Sequence, residues 1–158
     1  MTITGLSQNF GTLGLTTLRK FMSNSKVLVL GANGMLGKMV SLHLDSSADL
    51  IVDVTSRSST EFIKDNFKNN SHIFDVNKNY QNQFNNLVIE NNYHFIINCI
   101  GVIKPKINET DNISVSNTIL TNSYFPMDIQ NIASKNNVKY LQIGTDCVFS
   151  GIDGNYLE

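Results

Sequence analysis

The densest chemical signal in the chain is an eight-residue junction, Leu30-Gly31-Ala32-Asn33-Gly34-Met35-Leu36-Gly37. The apolar run Val27-Leu28-Val29-Leu30 ends at Gly31, and a helical spacing of apolar residues begins at Met35. The glycines between them fall at a G-x-x-G-x-x-G spacing. At such a junction the first glycine turns the chain sharply out of a strand. The second lets backbone approach a diphosphate, and the third lets the new helix pack close to the strand. The first turn of that helix leaves amide N–H groups without intrahelical partners and carries a partial positive charge, both suited to an anion. Glycines alone say little; a strand before them and a helix after them give the spacing its meaning. The expectation is a dinucleotide held at Gly31, Asn33, Gly34, Met35, Leu36 and Gly37.

Which dinucleotide depends on the end of the second strand. NAD-binding sheets carry an acid there for the ribose 2′-hydroxyl. Asp53 lies 22 residues after Gly31, but Val54-Thr55 continue the strand beyond it. The strand end carries Ser56-Arg57-Ser58 instead. A guanidinium flanked by hydroxyls suits a 2′-phosphate. Ser56 and Arg57 are therefore expected to contact the cofactor, with NADPH favoured over NADH. Asp75-Val76 follow the third strand, where the Asp75 carboxylate can accept from an adenine amino group or cap the helix ahead of Asn79-Tyr80.

The elements that must position these residues read off the apolar pattern. Strands are expected at 27–30, 50–54, 72–74, 95–100 and 140–143, and helices at 35–44, 59–67, 80–90 and 113–134, the last interrupted near Pro126. Continuous apolar strands alternating with helices imply a parallel sheet covered on both faces. The fold class is α/β, a doubly wound parallel sheet of the Rossmann NAD(P)-binding type, with strand order 3-2-1-4-5 and the ligand at the carboxyl ends of strands 1 and 4.

Composition narrows the function. The chain has 158 residues, 12 Lys+Arg against 13 Asp+Glu, and 41% apolar residues. That balance argues against a nucleic-acid binder working by phosphate neutralisation, and no apolar run reaches the roughly 20 residues that span a bilayer. Two cysteines, Cys99 and Cys147, both in apolar stretches, suggest reduced thiols and a cytoplasmic protein. His43, His72 and His94 are not spaced as metal ligands. The 22 asparagines, many in pairs such as Asn91-Asn92 and Asn136-Asn137, read as surface drift. Residues 1–25 hold no acid and only two charges, Arg19 and Lys20. They read as a flexible leader, and residues 26–158 as the binding domain.

Two later stretches extend the pattern: Ile96-Ile97-Asn98-Cys99-Ile100-Gly101-Val102-Ile103-Lys104-Pro105, and Gly144-Thr145-Asp146-Cys147-Val148-Phe149-Ser150-Gly151 followed by Gly154-Asn155-Tyr156-Leu157-Glu158. With the glycine turn they resemble the extended short-chain dehydrogenase/reductase family, and within it the dTDP-4-dehydrorhamnose reductases and related sugar-nucleotide reductases. The resemblance runs from Lys26 to Glu158. It implies that Cys99, Ile100, Gly101 and Val102 lie against the cofactor ribose and nicotinamide, the Cys99 side chain itself reading as a small buried apolar group. It implies that Asn122 supports the active site, that the Thr145 hydroxyl bonds the substrate carbonyl accepting hydride, and that Asp146 neighbours the substrate, although a turn-capping role also suits Asp146.

The family's proton donor is a Tyr in a Tyr-x-x-x-Lys motif after strand 5, and the motif is absent here. Tyr80, Tyr93, Tyr124 and Tyr140 are followed four residues on by Phe84, Ile97, Asp128 and Gly144. Three readings follow. The chain is the N-terminal fragment of an NADPH-dependent reductase of a nucleotide-linked 4-keto-6-deoxysugar. Or it is a non-catalytic NADP-binding regulator resembling the regulatory subunit of methionine adenosyltransferase. Or it pairs with a polypeptide supplying a complementing C-terminal half. Coding sequence beyond Glu158 separates the three. Homo-oligomerisation is compatible with each.

Overall fold

The computed structural model describes residues 24–76 and 79–144. Five strands form one parallel sheet: β1 (Ser25–Leu30), β2 (Leu50–Ser56), β3 (Ser71–Ile73), β4 (Phe95–Asn98) and β5 (Lys139–Gln142). Their order is β3-β2-β1-β4-β5, as the alternating pattern predicts. Val27 pairs with Val52 on one side and Phe95 on the other, and Leu30 with Asn98. The register brings the carboxyl ends of β1 and β4 side by side where the strand order reverses, the place where open α/β sheets bind ligands.

Alternation along β1 divides the core in two. Val27 and Val29 join Val52, Val54, Ile63 and Phe67 beneath helices α1 (Met35–Asp45) and α2 (Glu61–Asn66). Leu28 and Leu30 join Phe74, Tyr80, Phe84, Ile96, Phe125 and Ile129 beneath α3 (Tyr80–Asn91) and α5 (Phe125–Lys135). Tyr80 meets the Phe125 ring edge-on at 5.1 Å, and Phe74 lies 5.8 Å from Phe84. Each fully buried aromatic contributes about 1.5–3 kcal/mol.

Local chemistry sets the boundaries. Thr60 caps α2 by accepting from the Ile63 N–H, so that helix starts at Glu61 rather than Ser59. β4 stops at Asn98, two residues short of the expected end, because the Asn98 Oδ1 takes the Ile100 N–H (3.0 Å) and turns the chain away. The long helix expected over 113–134 runs as α4 (Asn112–Ile119), a π-helical turn (Leu120–Tyr124) and α5. Its irregularity lies just ahead of Pro126, which has no N–H to donate and crowds the preceding turn.

Two of the asparagine pairs are helix ends rather than surface drift. The Asn91 Nδ2 donates to the Leu87 carbonyl, and Asn92 follows with φ 53°. The Asn136 Nδ2 donates to the Ile132 carbonyl, and Asn137 follows with φ 57°. In each pair one amide satisfies a terminal carbonyl and the next residue takes the left-handed conformation that asparagine tolerates. Both pairs send the chain into the next strand, β4 or β5.

Candidate functional site at the carboxyl ends of β1 and β4

The glycine turn leaves β1 at Gly31, whose φ is +83°. A Cβ at Gly31 would also meet the Ile100 side chain at 2.8 Å, so the loop after β4 and the turn after β1 share one space. The turn is anchored to β2. The Gly31 N–H donates to the Thr55 Oγ1 (3.2 Å) and the Ala32 N–H to the Thr55 carbonyl (2.9 Å). Gly34 stands at the N-cap of α1, where no side chain caps the first turn and no acid opposes an anion. Met35 and Leu36 are exposed in that turn. Gly37 is buried, and a Cβ on it would sit 2.2 Å from the Gly31 carbonyl oxygen. A side chain there would push α1 off the turn. A backbone cradle of this shape, ending on an open helix N-terminus, fits a diphosphate.

Asn33 reaches sideways from the turn. Its Nδ2 donates to the Ser58 carbonyl (3.2 Å), and its Oδ1 accepts from the Thr60 Oγ1 (2.7 Å). Ser56 is buried, and its hydroxyl donates to the same Ser58 carbonyl (2.8 Å), so Ser56 shapes the loop from within. Arg57 is exposed beside it. Asp75 is exposed just past β3, while Val76 is half-buried against the α3/α5 core. The N-cap of α3 is Asn79, so Asp75 does not cap that helix.

On the other side of the switch point Asn98 is fully buried. Its Nδ2 donates to the Gln142 Oε1 (2.9 Å) and the Tyr140 hydroxyl (3.3 Å), tying the ends of β4 and β5 together. The Cys99 N–H continues the ladder to the Leu30 carbonyl (3.1 Å). Cys99 is half-buried, and burial pushes its thiol up to about 11, which keeps it protonated and unreactive. Asn122, in the π-helical turn, pairs with Val102 like a strand neighbour. Its Oδ1 accepts from the Val102 N–H and its Nδ2 donates to the Val102 carbonyl, both at 2.8 Å. A Cβ on exposed Gly101 would meet nothing nearer than the Asn122 Oδ1 at 3.8 Å. Among the described residues no packing requires glycine there. Thr145 and Asp146 lie outside the described residues.

Asp53 lies inside β2, away from this end of the sheet. Its Oδ2 accepts from the Tyr93 hydroxyl (2.7 Å), pairs with the Lys26 Nζ (3.0 Å) and lies 3.4 Å from the His72 Nε2. Burial raises the Asp53 pKa, but hydrogen bonds from His72, Tyr93 and Lys26 outweigh it and hold the carboxyl below its ordinary value. Sequence reasoning placed Asp53 in the strand but did not see this cluster. The signal available was a Lys and an Asp on adjacent apolar strands. It also missed Asn33 and Asn98 as structural ties. Among the described residues no three His, Cys, Asp or Glu side chains gather as a metal site, and no helix is long and apolar enough to cross a membrane.

The fold and this junction define a doubly wound α/β domain with a glycine turn at its switch point. Residues 27–155 match the model of the NAD dependent epimerase/dehydratase family, and the chain belongs to that family. The family carries a nicotinamide dinucleotide as cofactor. Among curated protein sequences none matches.

Solved structures share the fold. A dTDP-4-dehydrorhamnose reductase from Bacillus anthracis in complex with NADP is 21% identical, with a TM-score of 0.62 over 83% of this chain and 40% of that one. L-threonine dehydrogenase from Clostridium difficile is 18% identical, with a TM-score of 0.58 over 76% of this chain and 36% of that one. A UDP-glucuronic acid 4-epimerase from Bacillus cereus is 14% identical, with a TM-score of 0.63 over 84% of this chain and 44% of that one. The chain spans well under half the length of these proteins.

Proposed function

We propose that the chain is the cofactor-binding portion of an NADPH-dependent reductase acting on a nucleotide-linked 4-keto-6-deoxysugar, similar to the dTDP-4-dehydrorhamnose reductases. The observation that carries the reading is the cradle itself: Gly31 at φ +83°, Gly37 backed onto the Gly31 carbonyl, and an uncapped α1. The cofactor, when bound, supplies the hydride. Gly31, Asn33, Gly34, Met35, Leu36 and Gly37 surround its diphosphate, chiefly through backbone amides. Arg57, in the turn shaped by Ser56, takes the ribose 2′-phosphate. Asp75 and Val76 border the adenine. Cys99, Ile100, Gly101 and Val102 line the nicotinamide ribose, with Asn122 holding that loop to the helix. Thr145 donates to the substrate carbonyl oxygen, where negative charge grows during reduction, and Asp146 contacts the sugar.

The proton comes from a tyrosine other than Tyr80 and Tyr93. The Tyr80 hydroxyl donates to Asp128 (2.9 Å) and that of Tyr93 to Asp53 (2.7 Å). Burial and those carboxylates push both phenols well above their ordinary range. The test is NADPH consumption with a dTDP-linked 4-keto-6-deoxysugar. It is measured on the chain alone and on the chain joined to a C-terminal half bearing a Tyr-x-x-x-Lys helix. Turnover is expected only from the joined protein. A joined protein that binds NADPH yet leaves the keto-sugar unreduced contradicts the assignment and points to a binding regulator.

A further inference from the structure

We propose that Asn33 is a positioning residue that sets the cofactor's 2′-phosphate selectivity. It would do so by fixing the distance between the glycine turn and Arg57, without touching the phosphate. The inference deepens the dinucleotide reading and rests on it. Asn33 lies between two glycines of a turn whose neighbours offer only backbone. Its side chain leaves that turn and spans to the loop after β2, spending its donor on the Ser58 carbonyl (3.2 Å) and its acceptor on the Thr60 hydroxyl (2.7 Å). Both partners are themselves tied down. The Ser58 carbonyl also accepts from the Ser56 hydroxyl (2.8 Å), and the Thr60 Oγ1 also caps α2 through the Ile63 N–H (3.5 Å).

One planar amide thus joins the end of β1, the end of β2 and the start of α2. The loop it grips, Ser56 to Thr60, contains one cation, Arg57, exposed and directly beside the gripped Ser58. A guanidinium on a loose loop must be ordered when the phosphate arrives, and that ordering weakens binding. A loop clamped to the diphosphate turn presents the guanidinium already placed. Only an amide fills the role, because its two ends face a carbonyl oxygen and a hydroxyl hydrogen at once. A carboxylate at position 33 would set an oxygen against the Ser58 carbonyl.

The test is equilibrium titration of the chain with NADPH and with NADH, for wild type, Asn33→Ala, Asn33→Asp, Thr60→Ala, Thr60→Ser, Arg57→Ala and the Asn33→Ala/Arg57→Ala pair. Asn33→Ala, Asn33→Asp and Thr60→Ala are expected to weaken NADPH about tenfold, which is about 1.4 kcal/mol. NADH is expected to weaken no more than about twofold, within the size of one marginal hydrogen bond. Thr60→Ser keeps the hydroxyl and is expected to retain the wild-type ratio. In the Arg57→Ala background Asn33→Ala should leave the ratio unchanged, since the two act on one phosphate. Amide hydrogen exchange without cofactor should quicken at Ser58 to Glu61 in Asn33→Ala. Equal loss for both cofactors, or no loss for either, overturns the inference while the dinucleotide reading stands. Failure of the wild-type chain to bind either cofactor fells both, and that outcome is visible before any variant is made.

Discussion

A single methyl group is the sharpest probe of the glycine turn. In Gly37→Ala the new Cβ starts 2.2 Å from a backbone oxygen that cannot rotate away. Either α1 shifts or the turn opens, at a cost of about 1–3 kcal/mol for an overpacked site. We expect a lowered melting temperature together with loss of NADPH affinity. In Gly101→Ala the new Cβ meets only the Asn122 Oδ1, at an ordinary 3.8 Å, and stability should be unchanged, so any effect on binding there reports on the ligand.

Arg57→Ala should cost NADPH far more affinity than NADH, and equal losses in paired titrations would remove Arg57 from the 2′-phosphate. The glycine turn was legible because its spacing sits between a strand and a helix and its geometry follows from residue type. Asn33, Asn98 and Asn122 were harder to read. Asparagine is abundant in this chain, and nothing in the sequence separates those that bridge elements from those that end helices or face water.

At the scale of elements, β1, β2 and the residues entering β4 are tied by the Asp53 cluster. The sign of its pH dependence follows from the depressed carboxyl. Asp53 stabilises the fold above its unfolded value near 3.8, and that contribution is lost as pH falls through the lower folded value. Asp53→Asn should therefore be less stable than wild type at neutral pH, with the gap closing in acid, as followed by urea unfolding from pH 7 to pH 2. Tyr93→Phe removes one donor from the buried carboxylate and should cost about 1–3 kcal/mol.

The strand order was legible because buried parallel strands are written as unbroken apolar runs. The ends of α2 and β4 were less so, because Thr60 and Asn98 decide them with side-chain hydrogen bonds that propensity does not register. Asn122→Ala should loosen the loop after β4, visible as faster amide exchange at Val102.

For the molecule as a whole, two apolar layers and one sheet place the glycine turn, the Arg57 loop and the Asn98–Val102 loop around one end of the strands. The chain belongs to a family named for its NAD dependence, and this end of the strands is where we propose the dinucleotide binds. The measurement that tests this most directly is calorimetric titration of the purified chain with NADPH. We predict saturable binding of one NADPH per chain. At a free concentration of about one hundred times Kd it should stabilise the fold by about 2.7 kcal/mol and raise the melting temperature accordingly. A chain that stays folded yet shows neither heat nor thermal shift with millimolar NADPH or NADH would contradict the account.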